Sequence, residues 1–224
     1  MHPKHTVPHT RKQFQVDRIA FFSDAIIAIA ITLLVLEIKI PAIGKNASWN
    51  ELRTVYSKQL IFPLLGMLFS FFMIGRLWIR HHELFEYITS YNNMLIRYNL
   101  YFLFSIVLLP VSTTFMMNND NPKEISAIVF MINLALCHFF FLLLLSVIMN
   151  KKNHFYEHDA LPVMRQQKQD CLLFLCFLLA LSLISIFKVE WSQYVVYLFF
   201  AYRLYRRIRR ARERRLNKVL GIRG

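Results

Sequence analysis

The chain has 224 residues, 56% of them hydrophobic, with 21 Phe, and it carries 27 Lys+Arg against 13 Asp+Glu. That apolar excess cannot be buried inside one soluble domain of this size, and an 18% charged fraction is low for a soluble surface. Five glycines exclude collagen-like and flexible low-complexity classes, and the aromatic content excludes disorder. A net charge of +14 on so apolar a chain is informative only if it is segregated.

Taken in order, the apolar runs are 19–38, 60–79, 100–117, 125–149, 171–187 and a short 191–202. A hydrocarbon core of ~30 Å needs ~20 helical residues, so five runs suffice and the sixth needs its cationic flank to snorkel. Period-two alternation is absent, and backbone groups in lipid must be satisfied within a segment, which leaves helices. The expected fold is an all-α membrane protein with six transmembrane helices. It divides into an arm (1–17), a transmembrane domain (18–202) and a basic tail (203–224).

The charges test this arrangement. Counting Arg18 with the N-terminal arm and Arg76 with the second connection, twenty-one basic residues fall in the arm, the second and fourth connections and the C-terminal tail, and six fall in the alternate connections. The positive-inside rule then places both termini in the cytoplasm, as an even number of spans requires. The first run is too long for a cleaved signal peptide and no small-residue cleavage pattern follows it. Cys137, Cys171 and Cys176 lie within spans and imply no disulfide framework.

The first run is unusual. It begins Arg18-Ile-Ala-Phe-Phe22-Ser23-Asp24 and continues almost purely aliphatic to Glu37. An aspartate within a span faces protein, a partner or water. At 100° per residue Arg18 and Phe22 share a face while Asp24 lies about 120° from Arg18, so each charge is placed to reach a neighbouring helix or subunit.

The pattern Arg-x-x-x-Phe-Ser-Asp at 18–24, continuing into AIAITLLVLEI, resembles the signature of the transmembrane protein 175 potassium channels. Trp78-x-x-His81-His82 in the second run, and Asn99 with Leu109-Pro110 in the third, are similar to further positions of that family; Val111 departs from the Phe often found there. The resemblance covers roughly 18–113. It implies a homotetramer in the plasma membrane of a prokaryote, with helix one of each subunit lining a central pore that passes potassium ions. Animal relatives carry two such repeats, and one repeat here fits the four-copy form.

The chain has no Thr-Val-Gly-Tyr-Gly loop, so a carbonyl filter is not expected. Ile29, Leu33 and Leu36 follow i, i+4, i+7 spacing and form one apolar stripe. On sequence alone such a stripe is bundle core or lipid face far more often than pore; the resemblance aligns it with the family's hydrophobic constrictions, which gate by dewetting when narrow. Thr32, the sole hydroxyl between Asp24 and Glu37, is the candidate for selectivity, with self-bonding to its own helix as the alternative. Glu37 is a candidate for the pore mouth or a plain interfacial carboxylate, with Lys39 opposing its field. Trp78, His81 and Asn99, level with Arg18 and Asp24, are expected to form one hydrogen-bonded network supporting helix one.

No cofactor, catalytic constellation or metal site is expected. His154 and His158 have i, i+4 spacing but lack a clear third ligand. The arginine tail directly follows a span, which favours anionic lipid headgroups over nucleic acid. A weakly selective cation or proton pathway through the same pore, or a non-transport membrane scaffold or enzyme, are the competing functions.

Overall fold

The computed structural model describes residues 9–42, 47–117, 122–153, 155–156, 160–187, 201–202 and 205. The described residues form six α-helices: α1 (His9–Leu36), α2 (Trp49–Tyr56), α3 (Phe62–Phe85), α4 (Asn93–Met117), α5 (Lys123–Ile148) and α6 (Leu161–Phe187). Among the described residues five helical stretches are long and apolar enough to cross a membrane: Phe14–Leu36, Trp49–Phe85, Asn93–Met117, Glu124–Ile148 and Leu161–Ser185. Apart from residues 201–202 and 205, the expected sixth span and the basic tail lie outside the described residues, as does the His154/His158 pair. Chain contacts divide the protein into two units, 1–175 and 176–224, with the division inside α6.

Two elements differ from expectation. Helix α1 starts ten residues before the apolar run, at His9, so much of the presumed arm is helical. This extension is tied down where Val16 is buried and Tyr91 donates to Gln15 Oε1 at 3.1 Å. The first connection also contains α2, opened by a reciprocal cap: Glu51 N–H donates to Ser48 Oγ at 3.3 Å and Ser48 N–H to Glu51 Oε2 at 2.9 Å. A π-helical turn over Ser57–Ile61 then carries the chain into α3, where Pro63 sits in the first turn and breaks no helical bond.

Within the first unit α4 and α5 pack along most of their length, and α1 lies against α3 and α4. The core between α4 and α5 is built from Phe102, Leu103, Ile106 and Leu109 against Leu134, Phe141 and Leu145, all 2% exposed or less. Lipid tails are as apolar as these side chains, so close packing and interhelical hydrogen bonds have to supply the association. Polar groups accordingly appear where helices cross. Ser70 on α3 bonds Thr113 on α4 at 2.8 Å, and Asn133 Nδ2 on α5 donates to Ser112 Oγ at 2.9 Å. Pro110, inside α4, has no N–H to donate. In the turn that follows, hydroxyls bond back to their own helix: Ser112 and Thr113 both donate to Leu109 O, and Thr114 to Pro110 O.

The α3–α4 and α5–α6 connections clasp one another. Ile88 and Tyr156 form an isolated antiparallel bridge, and Thr89 N–H donates to Phe155 O at 2.8 Å over buried Ile88 and Phe155. This clasp fixes the ends of α3 and α4, the two helices against which α1 is set.

Candidate functional site

Helix α1 has two faces. Val16, Ser23, Ile27, Ala30 and Leu34 recur at helical spacing and are all buried against the rest of the subunit. Ile29 and Leu36, roughly opposite, are 59% and 75% exposed; Leu33, at 38%, lies at the edge of that outward face. Thr32 and Arg18 are exposed on the same side, as is half-exposed Phe22. One subunit therefore buries the serine of the signature and leaves the whole aliphatic stripe uncovered.

The buried face is held by directed polar bonds. Asn99 Nδ2 on α4 donates to Ser23 Oγ at 2.8 Å, and Ser23 Oγ donates in turn to Ile19 O at 2.8 Å. With the Asn99 amide nitrogen so committed, its Oδ1 faces His81 Nε2 at 2.8 Å and accepts from it. That fixes the imidazole as the tautomer with hydrogen on Nε2, and every bond in the relay runs from α3 through α4 to α1. Ser23, His81 and Asn99 are each 1% exposed or less. The imidazole is clamped by rings on both sides: its centroid lies 4.3 Å from that of Phe85 and 5.4 Å from that of Phe102.

Asp24 is bonded separately. Trp78 Nε1 on α3 donates to Asp24 Oδ1 at 2.8 Å, and the indole stacks on His82 at 5.5 Å between centroids. Asp24 is only partly buried, at the side of α1 between the two faces. The network expected as a single group of five is thus two: a buried His81–Asn99–Ser23 relay and a Trp78–Asp24 pair. Arg18 joins neither, because its place on the helix turns it outward with Ile29 and Leu36. Ser23, assigned from sequence only as part of the signature, is the group through which α4 grips α1.

Thr32 Oγ1 donates to Ile29 O at 2.8 Å, so its hydrogen is committed to its own helix and its oxygen offers only lone pairs outward. Glu37 follows the last residue of α1 and lines a cavity of about 350 Å³ with Leu34, Lys39, Met67 and Thr114, at the ends of α1, α3 and α4. Among the described residues no group of three His, Cys, Asp or Glu side chains is placed to hold a metal. Cys137 and Cys171 are buried and Cys176 is exposed, all as free thiols.

Several polar positions escaped the sequence reading. Ser70, Ser112, Thr113 and Asn133 form the α3–α4–α5 seam, and Gln167 Nε2 on α6 donates to Glu83 Oε2 on α3 at 3.0 Å. Their signal was available: a polar side chain inside an apolar run is costly unless it finds an interhelical partner.

Comparison with known proteins bears on the same segment. Residues 18–110 match the family model described as Endosomal/lysosomal potassium channel TMEM175. The match begins at Arg18 and ends at Pro110, and so contains both bonded groups. A protein named as a potassium channel from Chryseobacterium sp. (strain P1-3) is 35% identical over 96 residues, 43% of this chain and 46% of that one. Another so named, from Streptomyces collinus (strain DSM 40733 / Tue 365), is 32% identical over 117 residues, 50% of this chain and 54% of that one. The chain spans about half the length of the curated relatives it matches. The crystal structure of a lysosomal potassium-selective channel TMEM175 homolog from Chamaesiphon minutus superposes with a TM-score of 0.64 at 25% identity, covering 86% of this chain and 97% of that one.

Proposed function

We propose that this chain, whose residues 18–110 belong to the TMEM175 family, is the subunit of a potassium-preferring cation channel. Four copies assemble around an axis lined by α1, in a plasma membrane with both termini cytoplasmic. The observation that carries the reading is the division of α1: a hydrogen-bonded inner face and an aliphatic outer face that the subunit itself leaves open. Relatives named as potassium channels and the likeness to a potassium-selective homolog support the ion.

On this reading Ile29, Leu33 and Leu36 form stacked aliphatic rings that resist wetting when close together, and so restrict flow. Thr32 lies beside them. Four hydroxyl oxygens presenting lone pairs replace part of an ion's hydration shell, which favours potassium because it gives up water more readily than sodium. Glu37 stands one residue past the last ring but lines the cavity between the ends of α1, α3 and α4 together with Leu34 and Lys39, so it faces that cavity and not the axis. The relay from His81 through Asn99 to Ser23 and the Trp78–Asp24 pair hold α1 at the tilt and rotation that aim the rings. The arginine tail adds contact with anionic headgroups.

Flux from purified protein in liposomes under potassium, sodium and proton gradients tests the function. Selective potassium flux, raised in Leu33→Ala and in Ile29→Asn, is the expected result. Unchanged flux in both variants would remove the ring assignment, and dominant proton flux would replace the ion.

A further inference from the structure

The cavity at the end of α1 has a chemistry of its own. Its floor is apolar and adaptable: buried Leu34 from α1, Met67 from α3 and Met117 from α4. Its polar side chains are Glu37, Lys39, Gln59, Thr113 and Thr114. Among the described residues neither Glu37 nor Lys39 has an ion-pair partner, although they stand two positions apart with opposite charge. Thr114 Oγ1 spends its hydrogen on Pro110 O at 3.0 Å, so toward the cavity it offers an acceptor only. The Thr113 hydroxyl is committed to Ser70 and to Leu109 O. The cavity therefore presents Lys39 as a cationic donor, Glu37 as a carboxylate, the Gln59 amide as a neutral donor and acceptor, and Thr114 as an acceptor, above an apolar floor. The apolar span of α1 ends at Leu36, one residue before Glu37, which puts these groups where hydrocarbon gives way to headgroups.

We infer that this crevice between α1, α3 and α4 is a binding site for a zwitterionic phospholipid with a primary ammonium, a phosphatidylethanolamine. The lipid phosphate meets the Lys39 ammonium. The lipid ammonium donates to the Glu37 carboxylate and to Thr114 Oγ1, and an acyl chain lies along Met67 and Met117. Two acceptors set beside one cation select for a head group that carries N–H donors. A choline head group has the same charge but no hydrogen to donate, and a glycerol head group has no cation for Glu37. At about 350 Å³ the cavity falls at the small end of the ~300–1,000 Å³ range of ligand pockets. It fits a head group and the start of a chain rather than a whole lipid. The inference rests on the chain spanning a membrane and not on what it conducts.

Native mass spectrometry of the full-length protein released from detergent, titrated with ethanolamine, choline and glycerol phospholipids of identical acyl chains, tests it without any ion gradient. One ethanolamine lipid per chain should be retained at least about tenfold better than the choline lipid, the low end expected for a hydrogen bond to a charged group. Glu37→Gln should abolish that preference, and Thr114→Val should reduce it. Lys39→Gln should weaken ethanolamine and choline lipids alike. Glu37 and Lys39 are exposed, so these variants keep the fold, and a circular dichroism spectrum checks it. Equal retention of ethanolamine and choline lipids by the unaltered protein, or an undiminished preference in Glu37→Gln, overturns the assignment.

Discussion

Replacing Asn99 by leucine tests the relay where it has most to lose. The side chain is 1% exposed and makes two interhelical hydrogen bonds, both at 2.8 Å, one to His81 and one to Ser23. Interhelical bonds in membranes contribute about 0.6–2 kcal/mol each, so losing both costs about 1–4 kcal/mol. A second cost follows, because His81 Nε2–H would stay buried between Phe85 and Phe102 with no acceptor, a penalty of about 1–3 kcal/mol. The two estimates share the lost His81 bond, and a net destabilisation of about 3 kcal/mol is expected. Adding His81→Phe removes the stranded donor and puts a third ring between two that already stack on the imidazole. The double variant should therefore be about 1–2 kcal/mol more stable than Asn99→Leu alone. Detergent-unfolding equilibria at fixed protein concentration, followed by circular dichroism, measure both numbers. If Asn99→Leu lies within 0.5 kcal/mol of the parent, about the scatter expected at ordinary sites, the relay does not hold α1. If His81→Phe destabilises the double variant further instead of recovering it, the imidazole is a packing group and the direction assigned to its hydrogen bond is wrong.

Three further outcomes are expected. Trp78→Phe keeps the ring on His82 but loses the donor to Asp24, and should cost about 1 kcal/mol because the pair is partly exposed; Asp24→Asn retains an acceptor and should cost less in the same unfolding assay. A β-carbon on Gly66 would enter the space held by the Met117 thioether, so Gly66→Ala should lower the melting temperature slightly and Gly66→Val by several degrees, with Met117→Ala restoring much of the loss in each. Asn133→Leu gives up one bond to Ser112 but also removes a buried carbonyl oxygen that has no partner, so stability should change by less than about 1 kcal/mol; a large loss would mean that this oxygen is bonded.

The apolar runs made five spans legible because hydrocarbon thickness imposes a length that composition reveals directly. The start of α1 was not legible, because its first residues are polar helix formers with no apolar period to mark them. Helix α2 is legible in the sequence: Ser48-Trp-Asn-Glu51 carries the reciprocal cap in its spacing, although no apolar run marks the connection in which it lies. Within the site, Trp78, His81 and Asn99 were placed beside α1 by the family resemblance, since no periodicity relates residues on three different helices. The resemblance could not show how they divide. That depends on rotation about each helix axis, which turns Arg18 outward and Ser23 inward although five residues separate them.

The division of labour on α1 follows from the solvent. In water the aliphatic stripe would be driven into the core and the serine left outside, because burial of Ile29 and Leu36 would dominate any hydrogen bond. In lipid the apolar side chains are nearly indifferent to where they lie, and a hydroxyl, an amide and an imidazole decide the rotation of the helix by finding one another. The buried relay and the exposed stripe are then two consequences of one choice: satisfying Ser23 obliges Ile29 and Leu36 to face away. In the proposed tetramer, substitutions in the relay should consequently alter conduction through all the rings together, whereas a substitution at one ring should alter that ring alone. Flux through liposomes carrying Ser23→Ala, combined with Leu33→Ala, distinguishes the two. Independent action would give multiplicative effects. The shared rotation argued here instead makes the gain from Leu33→Ala smaller once Ser23 is lost, because the ring it opens no longer points at the axis.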